Sequence, residues 1–175
     1  MDEISLIASV TMTMTALVEA ALSEIPGPLG GTTTVGARSP QEMAPAHPTA
    51  GAGSVSVWLY RIDQDAVNRP LPPAGVGGVP AFFRSVPLHY LVTAQAQEPN
   101  DEQTLLGAAL KVFEDHPVVA GADLKGSLQG EAGEVRITPE PLTIEDLTRV
   151  WRALRVPLRP SLAYRVEVSV TEGAT

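Results

Sequence analysis

Apolar and polar positions alternate with two different periods along this chain, and the changes of period mark seven elements. Over residues 3–24, Ile7, Val10, Met14, Leu17, Val18 and Ala21 recur at helical spacing, forming one stripe that turns toward a core. The threonines between them are weak helix formers, so packing must hold this helix, and Pro26 ends it. Residues 54–62 (SVSVWLYRI) are rich in β-branched and aromatic side chains and predict a strand. Val55, Val57 and Leu59 point one way and Trp58, Tyr60 and Ile62 the other, which suits a central strand covered on both sides. Residues 86–95 (VPLHYLVTAQ) predict a second strand. A helix follows, capped by Asn100 or Asp101, with Leu106, Ala109, Leu110 and Phe113 as its stripe and His116-Pro117 as its end. Residues 134–139 predict a short strand stopped by Pro139. Residues 143–155 predict a helix, with Thr143 and Asp146 at capping-box spacing, Leu147, Val150, Trp151 and Leu154 on one face, and Arg149, Arg152 and Arg155 toward its C-terminal end. Residues 161–171 alternate: Leu162, Tyr164, Val166, Val168 and Val170 face a core, and Arg165, Glu167, Ser169 and Thr171 face outward.

The order α-β-β-α-β-α-β, with strands joined by loops, predicts an α+β fold: a mainly antiparallel sheet of about four strands packed with three helices. The 175 residues suit a single domain, 1–175. Two stretches lack periodic apolar positions. Residues 25–53 and 63–85 hold much of the chain's 15 glycines and 16 prolines and read as long loops. The first is expected to be mobile in a free monomer and ordered by neighbouring chains.

The net charge is −8, which repels phosphate backbones and argues against a nucleic-acid partner. The absence of cysteine removes disulfides, thiol nucleophiles and zinc–thiolate sites, and fits a cytoplasmic chain. Asp2 and Glu3 stand where a secretory leader would carry basic residues, and no run of eighteen apolar residues exists, so neither a signal peptide nor a membrane span is expected. The phosphate-cradling, zinc-protease and nucleophile-elbow patterns are missing. His47, His89 and His116 share no ligand spacing, and His89 reads as a structural residue in mid-strand. The pairs Asp101/Glu102, Glu114/Asp115 and Glu145/Asp146 sit at helix ends, where capping or solvation accounts for them. No catalytic residue, metal ligand or cofactor is therefore expected.

Six segments, in order, carry a resemblance: VSVWLYRI (55–62), Asn68-Arg69-Pro70, VPLHYLVTAQ (86–95), LLGAAL (105–110) leading to DHPVV (115–119), EPLTIEDLTRVWRAL (140–154) and PSLAYRVEV (160–168). As a set they resemble the N-terminal domain of the cap, or tail-terminator, protein of extracellular contractile injection systems, the phage-tail-like particles of virulence-cassette and antifeeding-prophage type. The resemblance runs from about residue 4 to 171. It implies a phage tail-terminator-like fold and a structural, non-enzymatic role: a homo-oligomer, a hexameric ring, that meets the inner tube protein and the contractile sheath protein and ends polymerisation of both. It implies assembly in the cytoplasm, as part of a particle that is then released. Longer relatives carry further C-terminal sequence, whose role is expected to be absent here. The alternatives are another structural component of such a particle, or a small peptide- or ligand-binding module with 63–85 as a lid. Candidate interface residues are Asn68, Arg69, Arg165 and Glu167. Arg69 can make a forked contact to a carboxylate, or be solvated in a turn shaped by Asn68 and Pro70.

Overall fold

The computed structural model describes residues 3–44, 49–63, 87–130 and 133–170. Its elements are α1 (Leu6–Ser23), α2 (Pro28–Thr32), β1 (Thr34–Gly36), α3 (Pro40–Met43), β2 (Gly53–Ile62), β3 (Leu88–Ala96), α4 (Pro99–Asp115), β4 (Val118–Ala120), β5 (Gly133–Pro139), α5 (Ile144–Leu154) and β6 (Ser161–Val170). Among the described residues the strands form one sheet in the order β1-β2-β3-β6-β5-β4. The pairs β2–β3, β3–β6, β6–β5 and β5–β4 are antiparallel, and β1 runs parallel to β2. The α+β class stands. The count of four strands and three helices does not: the sheet is mixed and six-stranded, with five α-helices.

The additional elements are short, and most lie in the stretch expected to be a loop. Leu29 and Pro40 are buried, Ser39 caps α3 in a full capping box with Glu42, and β1 bonds to β2. Residues 28–43 thus pack on the chain's own sheet. Elements of three to five residues are too short to show a period, which is why the pattern missed them.

β3 occupies the middle of the sheet, and its residues from Leu88 to Gln95 are all buried. Leu88, Tyr90, Val92 and Ala94 join Val55, Val57, Val135, Ile137, Tyr164 and Val166 in the main core under α1 and α4. On the second face Leu91 packs with Trp151 and Leu154 of α5, flanked by Trp58, Tyr60 and Ala163. Two-sided cover of β2 and β3 is what their unbroken apolar runs predict. β2 carries an irregularity, however: Leu59 pairs with Tyr90 and Arg61 with His89, so Tyr60 is an extra residue. A bulge of this kind resets the alternation. Ile62, expected beside Trp58 and Tyr60, falls opposite Leu88 and is 41% exposed, while Arg61 takes the second face.

α1 buries a wider face than its predicted stripe, and α4 is rotated from its own. α1 buries Leu6, Ser9, Val10, Thr13, Met14, Leu17, Val18 and Leu22, with Ile7 and Ala21 only partly covered. Its mean hydropathy of 1.6 would suit a membrane span, yet 44% of it is buried in the protein. The buried hydroxyls are occupied: Ser9 Oγ accepts the Ser127 N–H at 2.9 Å and Thr13 Oγ1 the Lys125 N–H at 3.0 Å. The turn they hold requires Gly126, whose φ is 62° and where a Cβ would meet Ser9 Oγ at 2.5 Å. α4 buries Leu105, Ala109, Val112 and Phe113, while Leu110 is 39% exposed and Leu106 half-buried. Its N-cap is Glu98, with Pro99 at the first helical position, so Asn100 and Asp101 lie inside the first turn rather than capping it. α5 matches its prediction: Thr143 is the N-cap, its Oγ1 accepts the Asp146 N–H at 3.1 Å, and Trp151 and Leu154 are buried.

Candidate interaction surface

Among the described residues, the second face of the sheet has a covered half, under α5, and an open half. The open half is built by alternation. On β6, Tyr164, Val166 and Val168 are buried in the main core, so Arg165 and Glu167 must point the other way. Cross-strand pairing sets His89 and Thr138 beside Arg165, and Arg136 beside Glu167. The bulge adds Arg61 next to His89.

These charges are paired along the strands. Arg165 Nη2 bonds Glu167 Oε1 at 2.5 Å, and Arg136 Nη2 bonds Glu134 Oε1 at 3.1 Å. Arg61 grips Asp63 with both Nε (2.8 Å) and Nη2 (2.6 Å). That forked bond, ahead of the nearby imidazole, holds the Asp63 carboxyl below the usual carboxylate range, and the same bond raises Arg61. Burial, reinforced by Glu140, pushes the Tyr60 phenol up.

His89 anchors this network from below. It is 2% exposed, with Nδ1 2.7 Å from Glu140 Oε2 and Nε2 3.0 Å from Asp63 Oδ2. A carboxylate only accepts, so each nitrogen that bonds does so as an N–H donor. The Asp63 N–H also bonds the Pro87 carbonyl at 3.1 Å. The chain therefore leaves the sheet at Asp63 and re-enters it at Pro87 through one pinned base. His89 is thus a buried residue of the strand, held between two carboxylates. Because Asp63 and Glu140 lie on opposite sides of its ring, the three groups do not converge on a point. Among the described residues no set of three or more His, Asp or Glu side chains could hold a metal ion.

Of the four candidate interface residues, Arg165 and Glu167 stand together on this open face, bonded to each other. Asn68 and Arg69, like His47, lie outside the described residues. Sequence reading missed Arg61, Asp63 and Glu140. Asp63 and Glu140 are 26 and 51 residues from His89, and no local spacing signals that meeting. At the helix ends, Glu102 accepts from Arg159 at 2.5 Å and Asp115 pairs with Lys111, ion pairs rather than the capping or solvation expected of those carboxylates. Two open apolar grooves also lie on the described surface. One, of about 470 Å³, lies where β5 gives way to α5 and is lined by Leu110, Leu142, Leu147 and Leu162. The other, of about 450 Å³, runs between α1 and β1, past Ala8, Met12, Val35 and Leu59.

Residues 9–175 match the family described as the Pvc16 N-terminal domain. No curated protein sequence matches significantly. Two solved structures share the fold. One is the sheath/tube terminator of an extracellular contractile injection system, PVC, in its extended state: TM-score 0.58, 21% identity, 96% of this chain and 57% of that chain covered. The other is the tube-terminating cap of the anti-feeding prophage: TM-score 0.54, 21% identity, 94% of this chain and 55% of that chain covered. The chain thus spans a little over half the length of these two structural relatives.

Proposed function

The chain belongs to the Pvc16 N-terminal domain family, and from that membership we propose that it is a structural cap, the terminator of a contractile, phage-tail-like injection particle. The observation that carries the reading is the coincidence of family and fold over nearly the whole chain, with both structural relatives being terminators of such particles. In this role six copies close a ring on the last layer of inner tube and sheath. A cap that mates equivalently with each end subunit needs the symmetry of the layer below, and a ring of identical chains needs a heterologous interface that closes on itself. Its free side must refuse a further layer. No chemistry is asked of it, and the role does not call for a catalytic residue, metal or cofactor.

The sheet face with Arg165 and Glu167 is the proposed contact with a neighbouring subunit or the sheath, and the segment carrying Asn68 and Arg69 is a second candidate. Assembly takes place in the cytoplasm before the particle is released. Deleting the gene tests the reading: tails of irregular length, or prematurely contracted particles, are expected in electron micrographs. Particles of normal length and stability in the deletion strain would overturn it. Charge reversal at Arg165 or Glu167 is expected to weaken capping without unfolding the domain, since an exposed pair contributes about 0–1 kcal/mol.

A further inference from the structure

The basic residues of this chain are unevenly placed. Four of its 12, Arg149, Arg152, Arg155 and Arg159, fall within eleven residues at the C-terminal end of α5 and just beyond it, in a chain that carries 20 acidic residues. Two of the four are already engaged: Arg149 pairs with Asp146 at 3.4 Å, and Arg159 pairs with Glu102. Arg152 and Arg155 are exposed, and among the described residues their side chains form no ion pair or hydrogen bond. They stand one turn apart, where side chains are neighbours, and the Arg155 N–H bonds the Arg152 carbonyl at 3.1 Å. A cation suits the C-terminal end of any helix, so charge alone does not set this pair apart.

The backbone does. Arg155 ends α5 in the left-handed conformation, with φ 56° and ψ 31°, and among the described residues it is the one non-glycine residue with positive φ. Helices commonly end this way, with glycine in that place, because a Cβ makes the conformation costly. A strained backbone that holds a side chain with no partner inside the chain points to a partner outside it. The segment that follows is both exposed and fixed. Leu158 is 45% exposed and lies between Pro157 and Pro160, whose rings restrict the backbone on either side. Its base is pinned: Trp151 Nε1–H donates to Ser161 Oγ at 3.1 Å, the Ser161 hydroxyl donates to the Arg159 carbonyl at 2.8 Å, and the Arg159 guanidinium bonds Glu102, 57 residues away. An exposed leucine alone means little. One held in place three residues beyond an unpaired, strained arginine costs little to order when a partner arrives.

We propose that the end of α5 and the turn after it, through Arg152, Arg155 and Leu158, form a docking site for an acidic segment of another protein. Carboxylates of that segment meet the two guanidiniums, whose forked donors match them, and an apolar side chain between the carboxylates meets Leu158. The occupant is a protein rather than a nucleic acid, because a net charge of −8 opposes a phosphate backbone and an exposed leucine offers it no contact. This goes beyond the reading of the chain as a cap and does not depend on it.

The test titrates the full, isotope-labelled chain with the acetylated peptide Glu-Glu-Leu-Glu-Glu while backbone amide shifts are followed by NMR. Saturable shifts at residues 152–159 that weaken as salt is raised are expected, with the amides of β1 unmoved. Arg155→Gly should weaken binding roughly fivefold or more while the thermal midpoint holds or rises, since glycine takes this conformation freely. A merely structural Arg155 would give the opposite pair: unchanged binding and a lower midpoint. Arg155→Lys, which keeps the charge, should retain part of the affinity. Arg152→Glu/Arg155→Glu should abolish saturable binding, and Leu158→Ser should weaken it with far-UV CD unchanged. Arg38→Glu alters another exposed, unpaired cation and should bind as the unsubstituted chain does. Absence of shifts at 152–159, an Arg155→Gly chain that binds undiminished, or tighter binding of a single-stranded DNA oligomer than of the peptide would each overturn the proposal. Self-association that Arg152→Glu/Arg155→Glu removes would overturn it too, by giving the surface to a second copy of the chain.

Discussion

Replacing Trp151 with alanine should release α5 from the sheet while leaving the main core folded. Trp151 is 2% exposed, and among the described residues its cluster holds two other buried residues, Leu91 and Leu154, with partly buried side chains packed around them. The main core on the other face of the sheet is far larger. Truncating a buried tryptophan to alanine costs about 3–5 kcal/mol. The lost indole N–H bond to Ser161 Oγ (3.1 Å) adds little, because that hydroxyl keeps its bond to the Arg159 carbonyl at 2.8 Å. A loss of about 4 kcal/mol exceeds what the remaining small cluster can supply to an eleven-residue helix, since isolated helices of that length are marginal. The chain has two tryptophans, Trp58 and Trp151, and Trp58 packs against the same cluster. In the variant, Trp58 is therefore the sole indole and reports whether α5 is docked. Its emission should move to longer wavelength, and in urea its transition should precede the loss of far-UV CD. Trp151→Phe, which keeps most of the volume, should cost about 1–2 kcal/mol and hold the two transitions together. A Trp151→Ala protein with coincident transitions and a loss below about 1 kcal/mol would refute the idea that this cluster alone seats α5.

Three further outcomes are expected. His89→Leu removes two bonds to carboxylates whose side chains are 38% and 22% exposed; because water can replace part of the loss, the cost should be about 2 kcal/mol, with His89→Gln, which keeps one donor, near half of that in chemical denaturation. Ser9→Ala leaves the Ser127 N–H without its acceptor, so stability should fall by about 1–3 kcal/mol and the Ser127 amide should exchange faster while amides of β3 do not. Burial pushes the phenols of Tyr90 and Tyr164 up to about 12; a group whose folded value lies above its unfolded one stabilises fully below the unfolded value, here 10.0, and that contribution is lost as pH rises toward 12. Ultraviolet titration should show these phenols ionising only together with alkaline unfolding, and two phenols titrating reversibly near pH 10 in the folded protein would contradict their burial.

The amino-acid sequence by itself determined the elements with enough length to show a period: the strand through Val55 and Val57, the central strand around Tyr90, the alternation of β6, and α5 with its Thr143 cap. It also determined the class of fold. These follow from interactions between residues close in the chain, where spacing alone decides which side chains share a face. Tertiary structure decided the rest. α1 buries Leu6 and Leu22 rather than favouring Ile7 and Ala21, because packing against both the sheet and α4 widens its buried side beyond one stripe. Tyr60 is a bulge because of its pairing with β3, and that one extra residue sends Ile62 to one face and Arg61 to the other. β1 and β4 exist only because a longer neighbour supplies their hydrogen bonds. The bracket of Asp63 and Glu140 around His89 joins residues that are distant in sequence. No pattern within a short window carries such meetings, since they are created when register and strand order bring separate segments to the same face.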